Sequence, residues 1–94
     1  VKKNSLVLIK RLSSHSATED YVPGLKFGLM TLPYDYAIKG YISQNLRVGD
    51  SVCVKKVEED NFIMYGYFVT APIIEIYKDG FKTTNSVYSI EFLD

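Results

Sequence analysis

The chain has 94 residues, with eleven Lys and Arg balanced by eleven Asp and Glu, so its formal net charge is zero. Nearly half of it (47%) is apolar, which excludes a disordered polyelectrolyte and argues against a domain built mainly to bind polyanions. This length holds one core and no second one, so residues 1–94 are read as a single domain.

Residue types point to strands. Val and Ile number nine and eight, against three Ala and one Gln. β-branched side chains lose rotamer freedom in helices but fit a pleated surface, and Ala is the best helix former. Eight Tyr and five Phe add to that bias. In chain order, residues 5–12 read as a first strand, followed by a polar loop from Ser13 to Asp20 and a turn at Pro23-Gly24. Residues 25–32 read as a second strand, ended by Pro33, which cannot donate to a ladder. Tyr34-Asp35-Tyr36 reads as irregular. Residues 37–44 fit a short strand or one helical turn, with Gly40 and the β-branched Ile38 and Ile42 favouring strand. Ser51 to Val57 is the next strand, then a charged loop at Glu58-Glu59-Asp60-Asn61.

Phe62 to Phe68 reads as a strand that is apolar on both faces, broken by Thr70-Ala71-Pro72. Asp79-Gly80, between residues 73–78 and 81–84, is the strongest short hairpin signal in the chain. Ser86 to Leu93 is the last strand. Six or seven short strands joined by short turns predict an all-β fold: a small antiparallel β-barrel or rolled sheet of about six strands, with at most one short helical turn.

The stretch Thr70-Ala71-Pro72-Ile73-Ile74-Glu75-Ile76, followed by Phe81-x-Thr83-x-Asn85-Ser86-x-Tyr88-x-Ile90, resembles the closing hairpin of many short bacterial and phage proteins. The resemblance implies turn chemistry, in which Thr, Asn and Ser tie down backbone, and no activity. Richness in Lys, Asn, Ile and Tyr suits an AT-rich genome, and a phage or bacterial accessory protein is the expectation.

The chemistry of an enzyme is missing. His15 is the one histidine, held in the polar run Ser13-Ser14-His15-Ser16, where no rigid element fixes a triad. Cys53 is the one cysteine, which rules out an internal disulfide or a cysteine-built metal site. Flanked by Val52 and Val54, it is expected to act as a small buried hydrophobe. Glu58-Glu59-Asp60 lacks the alternating ligands and Gly of a calcium loop. No catalytic residue, metal or cofactor is expected. No run approaches a membrane span or a signal peptide, so the expected setting is the cytoplasm of a bacterium or an infected host cell.

Two features exceed the background. Tyr65 and Tyr67 share a strand face with Ile63 and Val69, while Phe62, Met64 and Phe68 occupy the other. The Phe and Met face is expected to meet the core, leaving the tyrosines as a surface. Tyr34, Tyr36 and Tyr41 form a second aromatic segment. Tyr offers rigid amphipathic area at low entropy cost and is enriched at interfaces. The second feature is charge order. Residues 1–47 carry seven basic and three acidic residues, and residues 48–94 carry four and eight. A basic patch at Lys2, Lys3, Lys10 and Arg11 is the expected result if folding keeps the halves apart.

These features suggest a non-catalytic protein-interaction module that docks on another protein as inhibitor or adaptor through Tyr34, Tyr36, Tyr41, Tyr65 and Tyr67. Edge-strand pairing would offer a route to a homo-oligomer. The alternative is a small barrel that binds an oligonucleotide or nucleotide, weakened by only two Arg and a pI near 6.8.

Overall fold

The computed structural model describes residues 4–12 and 34–93. The expected strand at 25–32, the loop with His15, and Lys2 and Lys3 lie outside the described residues. The described residues form six strands: β1 (Ser5–Leu12), β2 (Tyr34–Ile42), β3 (Ser51–Glu59), β4 (Phe62–Tyr77), β5 (Gly80–Thr83) and β6 (Val87–Phe92). They form a closed barrel in sequence order, every joint antiparallel, with β1 pairing β6 to complete the ring. The described residues contain no helix.

Alternation sets the wall. Val7 and Ile9 of β1, Ile38 and Ile42 of β2, and Val52 and Val54 of β3 point inward with Ile73, Phe81, Tyr88 and Ile90, all buried in one cluster. The interior is aromatic toward one end. Tyr36 meets Phe68 edge-on at 6.0 Å, Phe68 meets Tyr88 at 6.0 Å, and Tyr88 stacks on Phe81 at 5.1 Å. Offset and edge-on pairs of this kind add to the gain from burial alone.

Several expectations need correction. Tyr34 to Tyr36 is not irregular but opens β2, with a register shift opposite Arg11 and Leu12 that absorbs Asp35. Thr70-Ala71-Pro72 does not end the strand, because β4 runs through it for 16 residues. The chain changes partner there: Pro72 is the last residue opposite β3, and Ile73 the first opposite β5. A Pro is tolerated where ladder bonding is interrupted. Thr70 and Ala71 stand opposite Val52 alone, and the Thr70 hydroxyl accepts from the Val52 amide at 3.0 Å.

The charged loop shrinks to Asp60 and Asn61, since Glu58 and Glu59 belong to β3. Both turn residues take positive φ, 51° and 71°, the backbone of a tight hairpin turn whose twist matches the flanking strands. The Asp-Gly signal is displaced by one residue. Tyr77 pairs with Gly80, so Lys78 and Asp79 make the turn and Gly80 starts β5. At the β5–β6 connection, the Thr83 hydroxyl accepts from the amides of Asn85 and Ser86, both at 3.2 Å. Cys53 is exposed rather than buried, because Val52 and Val54 take the inward positions on either side of it.

Candidate functional site

The β3–β4 hairpin carries the candidate site. Its tight turn is anchored to β2: the Asp60 amide donates to the Ala37 carbonyl at 2.8 Å, and the Ala37 amide donates to Asp60 Oδ1 at 2.8 Å. From this fixed tip β4 runs Phe62-Ile63-Met64-Tyr65-Gly66-Tyr67-Phe68-Val69 without a charge. Gly66 stands opposite Lys56 with φ of 134°, a backbone that L side chains rarely adopt, and marks an irregularity between Lys56 and Glu58.

Among the described residues, the longest run of exposed apolar side chains is on this strand. Phe62 is 74% exposed, Ile63 73%, Met64 44%, Tyr65 76%, Tyr67 70% and Val69 60%. Only Phe68 of the Phe and Met face packs against the core. The expectation that Phe62 and Met64 are core is therefore wrong. Alternation correctly assigns them to the inner face, but the packed interior does not extend beneath them.

Register places the outer face in rows across β2, β3 and β4. Tyr41, Lys55 and Tyr67 form one row, and Lys39, Glu58 and Ile63 another. Cys53 and Val69 extend the face toward the far end of β3. Tyr41 and Lys55 are exposed. Lys39 Nζ lies 3.5 Å from Glu58 Oε2, and Lys56 Nζ 3.2 Å from Glu59 Oε1. Among the described residues Lys55 has no carboxylate within ion-pair distance. The surface is thus an aromatic and aliphatic strip edged by the Lys55 cation and by an acid that Lys39 shares.

The five tyrosines singled out from the sequence separate into groups. Tyr41, Tyr65 and Tyr67 share the outer face. Tyr34 sits at the other end of β2, opposite Leu12, with Lys10 Nζ 4.8 Å above its ring centre. Tyr36 turns inward, half-buried against Phe68. Burial, together with the neighbouring Tyr88 hydroxyl, pushes the Tyr36 pKa up to about 12. The folded state thus holds the neutral phenol more firmly than the unfolded chain does. Stability from this group is complete below the ordinary tyrosine value of about 10 and falls as pH rises through 12. Melting temperature measured from pH 9 to 12 should decline more steeply in the native protein than in Tyr36→Phe. Parallel curves would show that this hydroxyl plays no part in alkaline stability.

Of the expected basic patch, Lys10 and Arg11 are among the described residues. Arg11 is engaged on both sides, Nη1 with Asp35 Oδ2 at 3.0 Å and Nε with Ser86 Oγ at 2.8 Å. Lys10 lies over Tyr34. The Lys39–Glu58 pair joins the basic half of the sequence to the acidic half, so folding mixes the two at the β2–β3 joint.

Gln44 is a supporting residue that nothing in the sequence distinguishes. Its side-chain amide donates to the Ser51 carbonyl at 3.0 Å and accepts from the Cys53 amide at 3.2 Å. It thereby stands in for a neighbouring strand along the part of β3 that β2 does not reach.

No group of three His, Cys, Asp or Glu among the described residues is arranged to hold a metal ion. A depression of about 140 Å³ lies beside the hairpin tip, lined by Leu8, Ala37, Lys39, Glu58, Asp60 and Asn61. Small-molecule sites typically begin at about 300 Å³, so it fits an ion or a few waters. No helix among the described residues is long and apolar enough to cross a membrane. The chain matches no family model, and neither a curated protein nor a solved structure matches it.

Proposed function

We propose that the chain is a non-catalytic protein-interaction module that docks through the outer face of β3 and β4, with Tyr65 and Tyr67 as anchors and Tyr41 at the rim. The supporting observation is the exposure of six large apolar side chains within eight residues of a single strand. Singly exposed apolar residues are ordinary, whereas contiguous patches beyond a few hundred Å² mark interaction surfaces. A rigid hairpin loses little entropy on binding, and Tyr has few rotors to freeze. The role this suits is an inhibitor or adaptor, and the composition supports a small bacterial or phage accessory protein acting in the cytoplasm.

The double substitution Tyr65→Ala and Tyr67→Ala tests the reading. Both rings are outside the core, so the variant should melt within a few degrees of the native protein. Hot-spot truncations at interfaces cost about 2 kcal/mol or more each, so partner affinity should fall at least about 30-fold. Site-specific photo-crosslinking from position 65 and from Lys82 supplies the readout, with adducts expected only from the former. Equal adducts from both, or an unfolded double variant, would remove the reading.

Oligonucleotide binding is the second reading, favoured by the exposed row Tyr41, Lys55 and Tyr67. Aromatic rings flanking a cation are how bases and phosphates are held together in single-strand binders. It needs more free cations than this face offers, and salt-independent or absent retention of single strands would dismiss it.

A further inference from the structure

Resting on the docking surface proposed above, we infer that its occupant in the isolated protein is a second copy of the same chain, packed face to face about a two-fold axis. A two-fold contact requires a self-complementary patch, in which residue i meets j and j meets i. The outer face of the hairpin meets that requirement. Take the axis to lie between two facing sheets, crossing the strands at the level of Tyr65. Rotation then brings the row of Tyr67 onto the row of Ile63 of the second copy, because the two positions are equally far from Tyr65 along the strand. The register partners follow. Lys55, opposite Tyr67, comes over Glu58, opposite Ile63, and Tyr41 comes over Lys39.

Every charge on the face therefore meets a favourable group. Lys55, which has no carboxylate near it among the described residues, gains one. Glu58, already 3.5 Å from Lys39, gains a second cation. Lys39 comes over the exposed Tyr41 ring in the manner of a cation–π pair. The apolar centre is Ile63, Tyr65 and Tyr67 from each copy, which interdigitate at the ~10 Å spacing of packed sheets.

Area and charge agree with this occupant. Aromatic side chains offer about 150–250 Å² each, so the exposed outer-face residues supply on the order of 700 Å² per copy. A standard interface takes about 800 Å² from each partner. A formal net charge of zero removes the self-repulsion that keeps many small proteins apart.

Sedimentation velocity on the purified chain tests the inference. The native protein should dimerise at micromolar concentrations. Lys55→Glu places two acids opposite each other at both symmetric contacts, and Glu58→Lys places two cations there. Each variant alone should dimerise at least about tenfold more weakly. An equimolar mixture should recover the native affinity. In the mixed dimer the introduced acid of one copy faces the introduced cation of the other, and the unchanged Lys55 and Glu58 meet at the second contact. Thermal melts establish that each variant folds. Lys55→Ala, at an exposed position, is the substitute if one does not, and should weaken the dimer while leaving the melting temperature unchanged at concentrations where both proteins are monomeric.

A native chain that stays monomeric to millimolar concentration overturns the second copy as occupant but leaves the docking reading to its crosslinking test. A dimer indifferent to both charge reversals, or variants that fail to complement on mixing, overturns the proposed face-to-face arrangement. Loss of position-65 crosslinks to any other protein while the dimer persists would instead count against the docking reading alone.

Discussion

Phe81→Ala should destabilise the fold by about 3–5 kcal/mol, the range for removing a fully enclosed aromatic side chain. Phe81 has no exposed surface and lies stacked on Tyr88 at 5.1 Å, in the shortest strand of the barrel. β5 contributes only Gly80 to Thr83, so its attachment depends on what those four residues bury. The ring also ends the aromatic series that runs through Tyr88 and Phe68 to Tyr36. Its loss opens a cavity where rigid rings on one side cannot collapse to fill it. Small domains have about 5–15 kcal/mol in total, so thermal unfolding should move down by roughly 20 °C. A shift of only a few degrees in a circular-dichroism melt would mean that the interior is not packed around this ring. The contrast with Tyr65→Ala and Tyr67→Ala is diagnostic: rings of the same class should differ by several kcal/mol according to which side of the wall they occupy.

Gly40→Ala should cost about 3 kcal/mol, the upper part of the overpacking range, for a single added methyl. A Cβ at Gly40 would lie 2.7 Å from Val54 Cγ1 and 2.9 Å from the Lys55 carbonyl carbon, with the Lys55 carbonyl oxygen closer still. Two of these three obstructing atoms are backbone of the adjacent strand, which cannot rotate aside. Here glycine supplies space, since Gly40 does not adopt positive φ. It sits at the register shift where β3 gains a residue relative to β2. Relief of the clash would push β3 outward and disturb the row of Tyr41, Lys55 and Tyr67. Guanidinium titration should show the loss as a lower midpoint. A variant within about 0.5 kcal/mol of native, the range of indifferent surface changes, would contradict this close approach.

Alternation makes much of the wall legible. Val52 and Val54 in β3, and Ile38 and Ile42 in β2, take inward positions of one alternating set, and that alternation applied to β3 places the intervening Cys53 outside rather than in the interior expected for it. The same rule assigns Phe62 and Met64 to the inner face. It cannot show that the face has nothing beneath it, since periodicity reports direction and not the extent of the core. Pro72 misleads for a related reason. A missing donor marks a break in hydrogen bonding, and here the break is a change of partner with the strand continuing. Tyr36 and Tyr65 are the same residue type, and the one next to a charge, Asp35, packs inward while the one in an uncharged run faces out. Only the tertiary register separates them. Gln44 has no local signature, because its two bonds depend on the approach of Ser51 and Cys53.

The ring of strands has joints of unequal reach. Five connect strands that follow one another in the chain. The sixth, between β1 and β6, brings Val7 to Phe92 and Arg11 to Tyr88 across nearly the whole sequence. Closing a loop that long carries the largest entropic cost of any joint, and that cost falls on this one seam. The β3–β4 hairpin is the opposite case, closed by a two-residue turn. If the seam parts, the interior loses its far wall while the hairpin keeps its own ladder and its tether to Ala37. The surface proposed for recognition therefore lies on the part of the protein least dependent on the barrel being shut.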